Sequence, residues 1–293
     1  MIELGDVRAA LAYRTVVAAY LSVPFDVPRP RSLVSPENVA RLGDAIRALP
    51  SKFRTFRVSA AGSDSDDMRR WRDAIADATG LAEDEDDAEL LIRLRKKEGG
   101  GWEVLLRLTP RPLSTRTWRT ERYEGGLNAC IAAAVVPATD PSPDDRFVDL
   151  MCGSGTLLIE RLAVGVPSLC VGVDISGGAI DKTKTHLRNA AIRGAKVQLH
   201  HADALEVTGD FDKLVVNLPW GTTMGSHDEN ETLYPAVLAA ASRLALPDAT
   251  FCVLTHEIRV FEAALGAQDA WSRVDEYRFF QKGHWPRLFV LTN

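Results

Sequence analysis

The stretch Phe147 to Glu160 reads FVDLMCGSGTLLIE. It begins with a short apolar run, and Gly153 and Gly155 then allow a tight turn before Thr156 opens a segment with helical spacing. This order predicts a β-strand, a glycine turn and an α-helix. Glycines let a ligand approach the main chain, and the first N–H groups of a helix can bind an anion or a polar group. A lone Gly-x-Gly also occurs in ordinary tight turns, so the residues around it decide whether a cofactor binds.

Acidic residues near the turn indicate which cofactor would bind there. The apolar run at residues 168–173 ends in Asp174, where a second parallel strand would present a carboxylate to the hydroxyls of a ribose. A dinucleotide fingerprint would place its third glycine at Leu158, so the turn lacks one feature of a pyrophosphate site. Asp149, just before Gly153 in the same stretch, suits a cationic ligand. S-adenosylmethionine combines an adenosine with an ammonium and a sulfonium, and we expect it as the cofactor.

Length and composition are typical of a soluble protein with two domains. The chain has 293 residues, of which 46% are hydrophobic and 26% charged, and it has no apolar run near the ~20 residues of a membrane span. Charged residues interrupt the apolar positions of residues 1–21, so we expect no secretory signal and a cytoplasmic protein. The 4 cysteines lack C-x-x-C spacing, which argues against structural zinc and a disulfide framework. We expect a monomer with no metal and no membrane partner.

The front of the chain predicts a small α+β domain. Ser35, Pro36 and Glu37 form a typical helix start, and two strands flank a KKEGGG turn as a hairpin would. We place this domain at residues 1–112 and a linker at residues 113–125. The predicted helices are Val7–Leu21, Ser35 to about Leu49 and Asp66–Ala78, and the predicted strands are Phe53–Ala60, Glu89–Lys96 and Gly101–Thr109.

From Phe147 onward, predicted strands alternate with predicted helices. Such alternation indicates a parallel, doubly wound sheet, and two closing strands joined through Gly283 suggest an antiparallel hairpin at one edge. An apolar helix at residues 127–136 opens this second domain, which we place at residues 126–293. The predicted strands cover 147–151, 168–174, 196–202, 213–218, 250–255, 274–281 and 286–292, and the predicted helices cover 156–164, 178–192, 232–245 and 257–266.

The net charge of −5 is unevenly distributed along the chain. Residues 1–124 hold 21 Lys and Arg against 20 Asp and Glu, and the remainder hold 14 against 20. The segment from Leu105 to Arg122 is rich in arginine. Such a run can neutralise RNA phosphates, or it can be a solvated linker. The candidate phosphate-binding residues are Arg107, Arg111, Arg116, Arg119 and Arg122.

The segment His200-His201-Ala202-Asp203 ends the third predicted strand of the second domain. Ligands of open α/β sheets bind beyond the carboxyl ends of the strands, so Asp203 should lie at the same edge as the two other aspartates. It could accept a hydrogen bond from the amino group of an adenine, or it could cap the following helix. Adjacent histidines on a strand point to opposite faces, so the histidine pair is not expected to bind a metal.

The segment Asn217 to Gly221 reads NLPWG and ends the fourth predicted strand. To methylate an exocyclic amine, acceptors must orient its N–H bonds so that the nitrogen lone pair faces the methyl group. The side-chain oxygen of Asn217 and the carbonyl of Leu218 can be those acceptors, because Pro219 rigidifies the loop. Trp220 offers a flat face on which an extruded base can stack. Without the other motifs, the segment would be an ordinary strand-ending turn.

Together these segments resemble a known family. VDLMCGSGTLLIE, GVDIS, HADA and NLPWG resemble the successive motifs of class I S-adenosylmethionine-dependent methyltransferases that modify amino groups of nucleobases. In the front half, FRVSA, LLIRL and GWEVLLRLTPRPLSTRTWR resemble a THUMP domain with its linker, as in the THUMP-containing tRNA guanine-N2 methyltransferases. The resemblance covers nearly the whole chain. It implies a Rossmann-like methyltransferase sheet in the back half and a smaller THUMP-like α+β domain in front, whose N-terminal lobe we expect to be shortened.

The family resemblance also implies roles for individual residues. The front domain would capture tRNA by its acceptor end, and the methyl group would go to N2 of a guanine in the acceptor stem, at the sixth nucleotide. The alternatives are methylation of another amino group, such as adenine N6 or a protein glutamine, and a protein that binds RNA or cofactor without turnover. The implied cofactor residues are Asp149, Gly153, Ser154, Gly155, Thr156, Asp174, Ile175, Asp203, Ala204 and Asn217, and the implied catalytic motif is Asn217, Leu218, Pro219 and Trp220.

Overall fold

The computed structural model describes residues 6–62, 64–220, 227–281 and 283–293. The chain divides into two compact units, Met1–Thr115 and Arg116–Asn293. The front unit therefore extends beyond residue 112, where the sequence analysis ends its first domain. Residues 116–125, for which the sequence predicts a linker, belong to the second unit.

The front unit is a mixed α/β structure built on a five-stranded sheet with the strand order β1-β5-β4-β2-β3. The side chains of Phe56, Trp71 and Ile92 are fully buried in one apolar cluster that joins the sheet to both helices. Ser35 and Ser65 accept backbone hydrogen bonds at the helix starts, as capping residues do. The elements are 3₁₀ helices at Val7–Ala12 and Pro30–Val34, helices α1 (Pro36–Arg47) and α2 (Asp66–Thr79), and strands β1 (Tyr20–Phe25), β2 (Thr55–Ser59), β3 (Ala82–Glu83), β4 (Leu90–Lys96) and β5 (Trp102–Arg107).

The predicted helix at Val7–Leu21 is wrong. Only a short 3₁₀ helix forms at its start, and the chain then enters strand β1, which contains Pro24. Strand β1 lies at the edge of the sheet and pairs with β5, so a missing proline N–H can face away from the partner strand. Val23 and Phe25 on this strand are buried in the core, which explains why the segment is extended rather than helical.

The second unit contains a seven-stranded sheet with the strand order β11-β12-β10-β9-β6-β7-β8. Neighbouring strands from β10 to β8 are parallel, whereas β12 runs antiparallel to β10 and to β11. This arrangement confirms the predicted parallel sheet with an antiparallel edge hairpin. The strands are β6 (Arg146–Asp149), β7 (Leu169–Asp174), β8 (Val197–His201), β9 (Phe211–Asn217), β10 (Ala245–Thr255), β11 (Ser272–Arg278) and β12 (Arg287–Thr292), and the helices are α3 (Ala129–Ala138), α4 (Thr156–Val164), α5 (Gly177–Ala190), α6 (His227–Leu244) and α7 (Ile258–Gly266).

Both faces of the central strands are covered by helices. In β9, Leu214 and Val216 belong to a buried cluster shared with α6 and α7, whereas Val215 belongs to a second cluster shared with α3 and α4. Alternate side chains of a strand point to opposite faces, so burial on both sides requires a continuous apolar run. Each fully buried side chain of this size contributes roughly 1.5–3 kcal/mol to folding. Packing on both faces therefore fixes the parallel strands, and their carboxyl ends lie at one edge of the sheet.

Candidate active site

The glycine turn follows strand β6 and leads into helix α4. Gly153 and Gly155 have φ values of +54° and +80°, in the left-handed region that favours glycine. A Cβ atom on Gly155 would lie 2.7 Å from Cγ2 of Thr183, and one on Gly153 would lie 3.0 Å from Cε1 of Tyr123. Both positions therefore require glycine for conformation and for space. The backbone of the turn before α4 therefore packs closely against the side chains of Thr183 and Tyr123.

Asp149 ends strand β6 as a buried carboxyl group. Its Oδ1 accepts a hydrogen bond from the backbone N–H of Met151 at 3.4 Å. Its Oδ2 is also buried and has no hydrogen-bond partner among the residues that the structure describes. Burial raises the pKa of Asp149 to about 8, against the effect of the Met151 bond, and the nearby charge of Asp174 raises it further. A ligand that brings a cation or a hydrogen-bond donor to Oδ2 would offset the free-energy cost of burying the charged carboxylate.

Asp174 ends strand β7 and connects it to the glycine turn. Its Oδ2 accepts a hydrogen bond from the N–H of Gly153 at 2.8 Å, and its Oδ1 accepts one from the N–H of Ser176 at 2.8 Å. Each carboxylate oxygen keeps further acceptor capacity, which suits the hydroxyls of a ribose. The next residue, Ile175, is 72% exposed and offers an apolar surface beside the carboxylate. These groups fit the cationic adenosine cofactor that the sequence predicts.

The remaining predicted cofactor residues have structural partners. Oδ1 of Asp203 accepts a hydrogen bond from the N–H of Leu205 at 2.9 Å, as expected of a residue that caps a turn, and Ala204 is buried. The carbonyl of Ser154 contacts Nδ1 of His186 at 2.9 Å, and the hydroxyl of Thr156 accepts a hydrogen bond from Arg119. These contacts fix the backbone around the turn. They leave Asp149, Asp174 and the glycines as the groups best placed for a ligand.

The segment after strand β9 is held by hydrogen bonds to neighbouring elements. The N–H of Leu218 donates to the carbonyl of Leu254 at 2.9 Å. The carbonyl of Pro219 accepts from the hydroxyl of Tyr234 at 2.7 Å and from Nδ2 of Asn230 at 3.2 Å. The motif therefore has a fixed backbone up to Trp220, and Gly221, the last residue of NLPWG, lies outside the described residues.

Asn217 presents a second buried acceptor at this edge of the sheet. Its Oδ1 is buried, and within the described chain it has no hydrogen-bond partner. A buried acceptor of this kind costs ~1–3 kcal/mol unless a donor reaches it. Strand β9 pairs with β6, with Val215 opposite Asp149, so the two unsatisfied acceptors belong to neighbouring strand ends. The site can therefore accept N–H donors from a ligand at two adjacent places.

Trp220 packs against a pair of histidines that the sequence did not indicate. Its ring stacks on His256 at a centroid distance of 5.8 Å and meets His284 edge-on at 6.1 Å. Nε2 of His256 and Nδ1 of His284 are 3.2 Å apart. His256 directly follows strand β10, so the rule that ligands bind at the carboxyl edge could have singled it out. His284 lies in the hairpin between the last strands, and no local sequence signal indicates its contact with Trp220.

Two arginines of the arginine-rich segment have protein partners instead of the exposed positions that phosphate binding requires. The guanidinium of Arg107 donates to the carbonyls of Thr109 and Glu89, at 2.9 and 3.2 Å, within the front unit. In the second unit, Arg116 forms an ion pair at 2.8 Å with Glu160, and both side chains are buried. These partners argue against the predicted phosphate contacts and correct that part of the prediction.

The other three arginines of the segment differ in exposure. Arg119 donates to the carbonyl of Leu127 at 2.9 Å as well as to Thr156, so it too has protein partners. Arg111 is on the surface, paired with Asp87 at 2.6 Å, and Arg122 is exposed. Only these last two remain accessible to an RNA phosphate. Residues 116–119 are thus an integral part of the second unit rather than a solvated linker.

In the part of the chain that the structure describes, no group of three His, Cys, Asp or Glu side chains is arranged to hold a metal ion. None of the helices that the structure describes is long and apolar enough to cross a membrane.

The strand order, the glycine turn after β6 and the polar groups at the carboxyl edge define a Rossmann-like class I methyltransferase fold. A family model for the RMKL-like methyltransferase domain matches residues 116–287. The chain belongs to this family.

Among the similar proteins is a tRNA (guanine(6)-N2)-methyltransferase of Archaeoglobus fulgidus, 30% identical over 194 residues, with 57% of this chain and 48% of the relative covered. The human tRNA (guanine(6)-N(2))-methyltransferase THUMP3 is 28% identical over 224 residues, with 71% of this chain and 42% of the relative covered. The chain thus spans about half the length of these curated relatives. The crystal structure of TrmN from Thermus thermophilus is similar in fold, with a TM-score of 0.76 and 22% identity, and covers 100% of this chain and 88% of that chain.

Arg116→Ala tests whether this arginine is structural. The substitution removes the guanidinium from the buried carboxylate of Glu160, and breaking such a pair costs ~3–5 kcal/mol. We expect a clearly lower urea midpoint than in the wild type. Arg122→Ala, which changes an exposed arginine nearby, is the matched control and should change the free energy of unfolding by less than ~0.5 kcal/mol. Equal stability of the two variants would contradict the structural role.

Asp149→Asn tests the buried carboxyl group through pH. The pKa of Asp is ~4 in the unfolded chain, and burial raises the pKa of Asp149 to about 8 in the folded protein. Between these pH values the folded state therefore binds more protons than the unfolded state. The free energy of unfolding should therefore fall as pH rises through this window, by up to ~1.4 kcal/mol per pH unit from this group. The variant should lose that slope in chemical denaturation at pH 5 to 8, whereas Asp144→Asn, at an exposed position, should keep it. Parallel profiles of wild type and Asp149→Asn would refute the raised pKa.

Proposed function

We propose that the protein is an S-adenosylmethionine-dependent RNA methyltransferase that modifies the exocyclic N2 of a guanosine in tRNA, at nucleotide 6 of the acceptor stem. The observation that carries this proposal is the buried, unsatisfied Oδ1 of Asn217 beside a hydrogen-bonded loop at the carboxyl edge. The relatives named above support guanine N2 in tRNA as the target. A role in tRNA processing also implies a cytoplasmic location, and we expect a monomer.

The cofactor side of the site consists of the ends of β6 and β7. S-adenosylmethionine, when bound, supplies an electrophilic methyl group on a sulfonium. Asp149 would hold the cationic part of the cofactor with its unsatisfied oxygen, which would favour the charged carboxylate and lower the pKa of this group toward its ordinary value. Asp174 would accept hydrogen bonds from the ribose hydroxyls, and the exposed Ile175 would pack on the adenine.

The substrate side of the site is the loop after β9. Oδ1 of Asn217 and the carbonyl of Leu218 accept the two N–H bonds of the target amine, which turns the nitrogen lone pair toward the methyl donor. With the cofactor bound, this lone pair would form the new N–C bond as the C–S bond to the methyl group breaks. The electron pair of that bond would stay on the sulfur of the departing S-adenosylhomocysteine, and the proton of the methylated nitrogen would leave to water. The bonds from Tyr234 and Asn230 to Pro219 keep the loop in place throughout.

Trp220 serves as the platform for the target base. A base in a paired stem cannot reach a recessed sheet edge, so the nucleotide is extruded at a cost of a few kcal/mol. Stacking on the indole offsets part of this cost, because base–aromatic stacking contributes ~1–3 kcal/mol. The stacked and edge-on contacts with His256 and His284 fix the plane of the indole before the base arrives.

The front unit offers a basic cleft that fits an RNA phosphate, and its resemblance to a THUMP domain supports this use. The cleft has a volume of about 340 Å³. Arg57 and Arg93 are exposed at its wall, and Cζ of Arg93 lies 5.6 Å from the ring centre of Tyr20. Burial lowers the pKa of Arg107 in this cleft, and the charges of Arg57 and Arg93 contribute to the same effect. The cleft therefore concentrates positive charge where an anion can reach it.

Methylation of tRNA by purified protein tests the main proposal. The protein is incubated with labelled S-adenosylmethionine and with total tRNA, total DNA or a protein extract, and the labelled nucleosides are identified by mass spectrometry. We expect N2-methylguanosine from tRNA. Label in N6-methyladenosine or in protein glutamine would show that the target assignment is wrong, and no label in any pool would favour a binding protein.

Variants of the loop test the roles of its residues. Asn217→Ala should lower kcat by ~10²–10³, as does loss of one oriented hydrogen-bonding group in an active site. Trp220→Ala should lower kcat/KM by about 5-fold to 100-fold through lost stacking, and Trp220→Phe, which keeps a ring, should recover much of it. Cofactor affinity, measured by calorimetry, should change far less in the Trp220 variants than turnover does. Full activity of Asn217→Ala would contradict the mechanism.

Arg57→Ala combined with Arg93→Ala tests the cleft. Each lost phosphate contact should flatten the dependence of log affinity on log salt by roughly 0.7–0.9. The expected result is weaker tRNA binding with a smaller salt slope and an unchanged affinity for the cofactor. Arg69→Ala removes a positive charge from the exposed face of α2 and serves as the matched control. If the double variant behaves like Arg69→Ala, the cleft does not bind the tRNA backbone.

A further inference from the structure

The hairpin between β11 and β12 exposes two large aromatic side chains next to each other. Phe280 is 60% exposed and Trp285 is 50% exposed, and their ring centroids are 4.9 Å apart. Cζ of Arg278 lies 4.4 Å from the ring centre of Trp285. We refer to Arg278, Phe280 and Trp285 as the hairpin platform. Exposed aromatic side chains in contact mark interaction sites more often than exposed apolar residues that lie singly.

The hairpin platform lies at the same edge of the sheet as the candidate active site. Strand β12 is antiparallel to β10, with Arg287 opposite Thr255, so β12 starts where β10 ends. The hairpin therefore extends beyond the carboxyl ends of the parallel strands. His284, next to Trp285 in the chain, meets the ring of Trp220 edge-on. The surface proposed to hold the target base and the hairpin platform are thus linked by one residue.

Hydrogen bonds hold the described residues on both sides of the hairpin. Phe279, beside the exposed Phe280, packs against the buried core, and its N–H donates to the carbonyl of Pro286 at 3.0 Å. Gln281 pairs with His284 through two backbone hydrogen bonds of 2.9 Å, and its side chain accepts from the N–H of Asn128 at 3.1 Å. The platform is therefore presented by a braced backbone.

We propose that the hairpin platform stacks an unpaired base of the RNA substrate adjacent to the extruded target nucleotide. This inference rests on the proposed function. Aromatic faces stack on bases of any sequence, and an arginine beside them adds a cation for the phosphate and a planar group for the base. Extrusion of one nucleotide from a paired stem leaves the opposite base without its partner, so a second aromatic surface nearby would stabilise the opened RNA. The combination of arginine and aromatic rings favours a nucleic acid over an apolar protein segment.

Binding of short single-stranded RNA to the full chain tests the platform without relying on catalysis. The probes are fluorescently labelled oligoadenosine and oligouridine of equal length, compared because adenine stacks more strongly. The wild type should prefer oligoadenosine, and Trp285→Ala combined with Phe280→Ala should weaken its binding by about 5-fold to 100-fold, the range expected for one lost base stack. The single variant Trp285→Phe keeps an aromatic ring at this position and should bind oligoadenosine more tightly than the double variant does. Tyr277→Ala, which removes an exposed aromatic residue of β11 outside the platform, should bind as the wild type does.

Kinetics with tRNA then separate the platform from the main function. If the wild type methylates tRNA, the double variant should raise KM for tRNA with a smaller change in kcat, and KM for the cofactor should not change. Unchanged oligonucleotide affinity and unchanged KM would overturn the platform while leaving the methyltransferase proposal intact. If the wild type methylates no RNA, the proposed function fails, and a loss of oligoadenosine affinity in the double variant would still support a base-stacking site. A wild-type dimer that becomes monomeric in the double variant, with RNA binding unchanged, would assign the surface to self-association and overturn the proposal.

Discussion

The reversal of strand order at β6 is the constraint on which the candidate active site depends. From β6 the chain builds β7 and β8 on one side and then crosses to β9 and β10 on the other. In open α/β sheets, ligands bind beyond the carboxyl ends of the strands at such a reversal of strand order. Asp174 reinforces this arrangement, because its carboxylate bonds the N–H of Gly153 and so fixes the glycine turn against the end of β7. The groups proposed to hold cofactor and substrate therefore meet at the ends of β6, β7 and β9.

Most polar residues at the carboxyl edge of the sheet can be predicted from the sequence, because each is indicated by the residues next to it in the chain. Asp149, Asp174 and Asn217 each end a buried strand, and parallel strands must bring their carboxyl ends together. The same reasoning fails for Arg116, whose partner Glu160 is 44 residues away in the chain. An arginine-rich run looks alike whether it is solvated or buried, since only the tertiary structure supplies the buried carboxylate. The misassigned helix before Pro24 has a similar cause, because the edge position that tolerates proline in β1 is also a tertiary property.

Among the described residues, Oδ2 of Asp149, Oδ1 of Asn217 and Oδ1 of Asn230 are buried acceptors without a partner, which shows that stability is not optimised at this edge. Each buried acceptor without a donor costs ~1–3 kcal/mol, a noticeable fraction of the ~5–15 kcal/mol that separates folded from unfolded domains. Asp149 limits its own cost by holding a proton, as its raised pKa indicates. Asn217 cannot do this, so its acceptor is satisfied only by a donor from outside the described chain. An amine with N–H bonds is a ligand of that kind.

The direction of strand β12 determines at which edge of the sheet the last hairpin lies. A further parallel strand would begin at the opposite edge, and the connection leading into it would lie far from the active site. Because β12 runs against β10, its first residue and the hairpin that precedes it lie at the carboxyl edge. This direction brings His284 to Trp220 and positions the exposed pair Phe280 and Trp285 on the same side. The edge hairpin thus extends the aromatic surface outward from the candidate active site, on the side from which the proposed RNA substrate would approach.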